Sequence, residues 1–197
     1  MLGYINRAFE CFLRDTYGHD VWAQVANAAA LGFDRFEPML QYDPSVTENI
    51  IRAAAGVLGR PRGTILEDVG TYLVSHPHLE RLRRLLRFGG VDFIEFLHSL
   101  DDLPERGRLA LPDLDLPRLT LQDQGGGVFR LRCQMQISGI GHMVVGLLRA
   151  MADDYGALVL IDFDGCDAGG AETVAIHLLD HRYSSGRSFD LSALITR

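Results

Sequence analysis

The side chains in this sequence able to do chemistry are a few histidines, one cysteine and a knot of acids. His98 sits in the apolar run Val91-Asp92-Phe93-Ile94-Glu95-Phe96-Leu97-His98, and His142 follows Ser138-Gly139-Ile140-Gly141 at the mouth of an expected helix. His76 and His78 flank Pro77, a break that either re-aims an imidazole into a cleft or leaves both rings in a solvated loop. Imidazole is the commonest side-chain ligand for a metal, so His98, His142 and His76 are the candidate cofactor-binding residues, His98 above all for a metal. Against this stands the position of His98, about 120° or more from the centre of its helix's apolar stripe at roughly 100° per residue. Cys133 offers a thiolate or a buried inert thiol on a face shared with Met135 and Ile137 at the two-residue strand period. Asp162, Asp164, Asp167 and Glu172 crowd a glycine-rich turn, which reads as a solvated turn or a divalent-cation site lacking the full EF-hand pattern. Arg81, Arg83, Arg84 and Arg87 form a basic strip, either a solvated helix face or a docking surface for an acidic partner. The Gly139-Ile140-Gly141 pair lacks the wider phosphate-binding pattern, and there is no nucleophile elbow, zinc-protease or Walker motif. Catalysis is the class with least support, and no catalytic residue is assigned.

Composition narrows the classes further. Apolar residues are 47% and charged residues 23% of the 197 positions, which is the balance of a folded globular chain. The formal net charge is −7 and all 19 basic residues are arginine, so phosphate neutralisation on nucleic acid is not expected, and a lysine Schiff base is impossible. Three widely spaced cysteines make neither a disulfide framework nor a zinc site. There is no apolar run long enough for a membrane span, and Arg7, Glu10 and Arg14 interrupt the apolar start where a signal peptide would be uncharged. A soluble cytoplasmic protein is expected.

These side chains must be positioned by a helical half followed by a sheet. Apolar periodicity predicts helices at residues 2–17, 20–31, 45–58, 65–74 (capped by Thr64) and 79–88, the last with Leu82, Leu85 and Leu86 inward. Residues 118–122 and 128–137 alternate around Gly125-Gly126-Gly127 as a hairpin; residues 140–155 read as a helix, and 157–163 and 173–179 as two further strands. A last turn is expected at Leu191 to Ile195. The fold class is α+β, a helical lobe over residues 1–110 and a β-β-α-β-β antiparallel lobe over 118–180, with a tail to 197 and a cleft between lobes for a ligand.

Residues 89–117, GGVDFIEFLHSLDDLPERGRLALPDLDLP, join the two halves. Val91, Phe93, Ile94, Phe96, Leu97, Leu100 and Leu103 give one broad buried stripe. If the helix persists, rotation carries Pro104 into the arc of Leu97 and Leu100. Pro104 after Asp101-Asp102 instead favours a kink or a new short turn from Leu103 to about Leu109, and Pro112 and Pro117 extend the chain before them.

Several segments, in order, resemble the haem nitric-oxide/oxygen-binding (H-NOX) family. These are the Met-x-Gly start with its helix ending at Tyr17-Gly18; the central helix with its Leu100-Asp101 pair and later Pro117; and the last helix with Gly146-Leu147-Leu148 and then Tyr155-Gly156. The resemblance covers about residues 1–180. It implies an H-NOX fold, haem b in the interlobe cleft, and Ile5 and Phe9 as distal apolar residues, with Leu97, Leu100 and Pro117 nearby. It also implies sensing of nitric oxide or oxygen and output through a signalling enzyme such as a cyclase or histidine kinase. Two positions depart from the family. The proximal histidine's place, three residues after Asp101, is Pro104, and the Tyr-x-Ser-x-Arg motif that holds the haem propionates falls on Cys133, Met135 and Ile137 or, with a one-residue slip, on Gln134, Gln136 and Ser138, none of them cationic. No aliphatic side chain replaces a guanidinium fork. Two functions follow: a stand-alone sensor holding haem by an unconventional ligand, or a haem-free module of the same fold that binds another apolar ligand or acts only through protein contacts.

Overall fold

The computed structural model describes residues 3–110 and 116–187. The turn expected at Leu191 to Ile195, and Pro112 with the residue before it, lie outside the described residues. In chain order the elements are α1 (Gly3–Tyr17), α2 (His19–Ala28), α3 (Pro44–Leu58), α4 (Arg62–Ser75), a 3-10 turn at Pro77–Leu79, α5 (Glu80–Arg87), α6 (Phe93–His98), a 3-10 turn at Ser99–Asp102, α7 (Leu103–Ala110), β1 (Arg118–Gly125), β2 (Val128–Gln134), α8 (Ile140–Tyr155), β3 (Leu158–Cys166) and β4 (Glu172–Asp180). The four strands form one antiparallel sheet in the order β1-β2-β4-β3. The α+β reading, helices first and an antiparallel sheet after, is what the chain adopts.

α1 buries Phe9, Phe12 and Leu13 along one face. Glu10 is buried too. Its carboxylate takes Arg7, Arg14 at 3.0 Å and the Phe36 amide at 2.9 Å, so the charge is paired and the α2–α3 connection is fastened to α1. In that connection Phe33, Phe36 and Tyr42 pack ring against ring, with Trp22 of α2 against Phe36. α2 stops earlier than periodicity suggests, because Ala30 takes a left-handed conformation (φ 53°). α4 starts earlier: Pro61 caps it and Thr64 lies inside it with no capping role, since Arg62 is already helical and tied to Glu48.

α8 is the central beam. One side packs on α4 and the other on β3 and β4. The α4 crossing is close because two glycines face across it: a methyl on Gly70 would strike the Met143 carbonyl, and one on Gly146 the Glu67 carbonyl. Thr71 Oγ1 donates to the Gly146 carbonyl at 3.2 Å. At the N-terminus of α8, Glu172 from β4 accepts from the Gly139 and Gly141 amides at 2.5 and 2.6 Å, a negative charge where unsatisfied amides and the helix dipole favour one. At its C-terminus, buried Asp154 accepts from Arg83 Nε at 2.9 Å and Nη2 at 2.6 Å, with Arg87 Nε 3.7 Å away. The Arg87 guanidinium lies 3.8 Å from the Tyr155 ring centre. Burial pushes the Tyr155 phenol up to about 12, and its hydroxyl donates to the Gly90 carbonyl at 3.0 Å.

The central stretch breaks where the acidic-proline passage predicts, but with a different rotation. Asp92 caps α6 through the Glu95 amide, and Val91 lies before the helix, 83% exposed and outside the buried stripe. A 3-10 turn then separates α6 from α7. Such a turn advances about 120° per residue and eclipses side chains three apart. Leu100 and Leu103 therefore both face inward, and Pro104, half-buried, sits one step round. Asp101 Oδ1 accepts from the Leu121 amide of β1 at 2.8 Å, tying the break to an outer strand. On the other outer strand, Arg149 Nη2 donates to the Ile161 carbonyl at 2.6 Å.

β2 ends at Gln134, short of the expected residue 137, because pairing with β4 ends at Cys133 and pairing with β1 at Gln134. β3 runs on through the acidic turn to Cys166, with a register shift after Phe163.

Candidate functional site

A cavity of about 450 Å³ lies where the helical half meets α8 and the start of the sheet. Its walls follow from helical and strand periods. α1 presents Ile5, Ala8 and Phe9; α4 presents Val69 and Leu73, one turn apart; α5 presents Leu82, Leu85 and Leu86. Leu100 and Leu103 come from the 3-10 reset, and Leu116, Pro117 and Leu119 from the entry to β1. Met135 and Ile137 come from the β2–α8 connection, and Ile140, Met143, Val144, Leu147 and Leu148 from α8. Among the described residues of the lining, only Tyr4, His78 and Arg81 have polar side chains. The Tyr4 hydroxyl is already donated to Met39 Sδ at 2.9 Å. His78 and Arg81 are exposed residues, which places them at the rim.

The cavity gathers some of the residues expected at the site and leaves others out. Ile5, Phe9, Leu100, Pro117, Met135 and Ile137 line it. Leu97 is fully buried but packs elsewhere in the core, and Pro104 stands off the lining because the 3-10 turn delivers Leu103 instead. Cys133 is fully buried off the lining, its Sγ 3.8 Å from the Leu131 carbonyl; burial, reinforced by Glu172, pushes its thiol up to about 12 and leaves no thiolate at ordinary pH.

The three candidate histidines all lie away from the cavity lining. His98 is half-exposed, with Nε2 3.7 Å from Asp123 Oδ2 and its ring edge-on to Phe129. This is the outward placement the helical rotation implies. His142 stacks on Phe163 at 4.2 Å, and its Nδ1 lies 3.0 Å from Glu67 Oε1. His76 packs at a tilt against the Tyr72 ring, with Nε2 3.5 Å from Asp15 Oδ2. His78, its neighbour across Pro77, is the histidine that lines the cavity.

Two charge clusters resolve into pairs. In the basic strip, Arg83 and Arg87 turn inward to Asp154 and Arg84 pairs with Glu80 at 2.9 Å, so the strip is not a continuous docking face. In the acidic turn, Asp164 pairs with Arg130 and Asp167 with Arg132, while Glu172 caps α8. The Arg132 guanidinium and the Ala171 and Gly169 amides hold the Asp167 carboxyl below the usual range. Among the described residues, no three His, Cys, Asp or Glu side chains converge on a common point.

Sequence reasoning passed over Tyr4, Val69, Leu73 and Arg81 as cavity residues. The α8 set at 140, 143, 144, 147 and 148 is the inward face of an apolar helix, and its spacing was a usable signal. Arg81 could not be told from Arg83 without knowing that Asp154 is buried beneath α5.

Comparison with known proteins agrees with this architecture. The haem-NO-binding family model matches residues 2–162. The chain is 23% identical over 154 residues to the soluble guanylate cyclase gcy-31 and 27% identical over 156 residues to gcy-35, both of Caenorhabditis elegans. These matches cover 78% and 77% of this chain but 22% of each cyclase, so the chain spans about a fifth of the curated relatives' length. Among solved structures, the unliganded Fe(II) H-NOX protein of K. algicida superposes with a TM-score of 0.77 at 16% identity, covering 91% of this chain and 97% of that one. The S. oneidensis H-NOX protein in the Fe(II)NO state gives 0.76 at 19%, covering 91% and 100%. At these identities the structural likeness speaks for the fold, while the family match spans most of the sequence. The chain belongs to the haem-NO-binding, or H-NOX, family of sensor domains.

Proposed function

We propose that this domain is a sensory or regulatory module whose cavity takes an apolar ligand other than haem, and whose output passes through a signalling partner such as a cyclase or kinase. The observation that carries the reading is hydrocarbon at both places where the family's haem would be anchored. On one wall Leu103 faces inward and Pro104, without a ligand atom, stands aside. On the other, Met135 and Ile137, onto which the family resemblance puts the cationic motif for the propionates, line the cavity, and Arg81 is the only arginine among the described residues of the lining. A carboxylate brought among aliphatic side chains without a partner is strongly disfavoured. The residues present therefore do not fit haem held in the family's manner. Occupancy would act by population shift: a guest touching α1, α5, the α6–α7 break and α8 favours whichever packing of those elements it contacts best.

A second reading keeps haem and relocates its ligand. His78 favours it, being an imidazole in the lining, and it would carry nitric oxide or oxygen sensing with it.

Haem titration followed by absorption separates the two. A broad, hemin-like band, unchanged in His78→Ala, His98→Ala and His142→Ala, is the expected result. A sharp Soret band lost in His78→Ala alone would replace the first reading with the second. No helix among the described residues is long and apolar enough to cross a membrane.

A further inference from the structure

We infer that the cavity's ligand is a single-chain amphiphile with an anionic carboxylate head, its tail among the aliphatic walls and its head at the rim between Arg81 and His78. The inference rests on the apolar-ligand reading and narrows it to a chemical class.

Three observations point this way. At about 450 Å³ the cavity could hold more than ten waters, at on the order of 30 Å³ each, yet each buried water needs two to four polar partners. Among the described residues the walls supply three polar side chains, and the Tyr4 hydroxyl is already engaged. Water is thus a poor occupant and a hydrocarbon a good one.

The second observation is how α5 distributes its charge. Arg83 and Arg87 are taken up by Asp154, and Arg84 by Glu80. Arg81 makes no hydrogen bond or ion pair among the described residues, and it is the arginine of this helix that reaches the lining. A planar guanidinium free to bind in two-point fashion matches a carboxylate.

The third is placement. His78 and Arg81 are three residues apart across the start of α5, both exposed and both among the lining residues, so an imidazole and a guanidinium belong to one rim of an otherwise hydrocarbon space and are within a side chain's reach of a head group there. A ligand charged at both ends, or polar along its length, would leave groups unsatisfied in the interior.

The test uses Nile red, an uncharged apolar dye, as a fluorescent occupant, displaced by myristate or by myristyl alcohol. Wild type should bind Nile red, and myristate should displace it better than the alcohol. Arg81→Gln should weaken myristate about tenfold, the scale of one lost charge-assisted hydrogen bond, and leave the alcohol unchanged. Leu147→Trp, which fills the cavity, should abolish dye binding; Ala8→Phe, from the α1 wall, serves the same end if circular dichroism shows that Leu147→Trp unfolds. If acid and alcohol compete equally and Arg81→Gln alters neither, head-group recognition is overturned while the apolar cavity reading stands. If dye binding is absent, or survives both filled variants, the cavity is not the site and both readings fall.

Discussion

The two ends of α8 and its middle are built by opposite rules. At the ends every buried charge is met: Glu172 sits on two amides, and Asp154 on one guanidinium with a second close by. Along the middle, one face touches α4 backbone to backbone through Gly70 and Gly146, while Val144, Leu147 and Leu148 border open volume. The ends and the α4 seam leave no room for change. The cavity side is where the fold leaves volume uncommitted, so a ligand can be accepted there without disturbing the beam that carries it.

Substitutions can break or sharpen that contrast. The largest effect is expected from Asp154→Ala, which strands Arg83 and Arg87 against the buried end of α8. It should cost about 3–5 kcal/mol in urea unfolding. Next comes Gly146→Ala, where one methyl meets the Glu67 carbonyl across the seam; about 1–3 kcal/mol should be lost, seen as a lowered Tm. A smaller effect belongs to Glu48, whose carboxyl is held below its ordinary value chiefly by the hydrogen bond to Arg62. Because its folded pKa is depressed, its contribution is present above the ordinary value of 4.5 and lost as pH falls below that toward the folded pKa. Glu48→Gln should therefore flatten the acid limb of a stability-against-pH curve and leave alkaline behaviour unchanged. The smallest effect is expected from Ala8→Leu. Three added carbons enter the cavity, and stability should stay within about 1 kcal/mol of wild type. A loss there as large as that of Gly146→Ala would erase the distinction between seam and cavity.

Much of this arrangement was readable from residue patterns. The amphipathic helices, the Gly125-Gly126-Gly127 hairpin and the order of helices before strands follow from periodicity, and the break at Asp101-Asp102-Leu103-Pro104 from proline chemistry. The outward face of His98 was legible for the same reason, since helical rotation is local. Leu100 and Leu103 were legible as part of the apolar stripe, but whether Pro104 would join them was not: continuous α-helical rotation brings 104 into their arc, and the few residues of 3-10 turn that leave it off the cavity carry no sequence mark. The role of the arginine strip was equally hidden. Arg81, Arg83, Arg84 and Arg87 look alike in sequence, and what separates them is the distant Asp154. The end of β2 at Gln134 is set by the lengths of its partners, which no local pattern of its own reveals.

The two side-chain contacts on the outer strands bear on self-association. A sheet in the order β1-β2-β4-β3 offers two margins to any extended segment seeking to add to it. Asp101 already occupies the Leu121 amide on one, and Arg149 the Ile161 carbonyl on the other. Each contact removes a main-chain group that an incoming strand would need, so both margins resist templated pairing at those points. Edge-to-edge addition of a second copy of the sheet is thereby disfavoured at those two points when the domain is crowded.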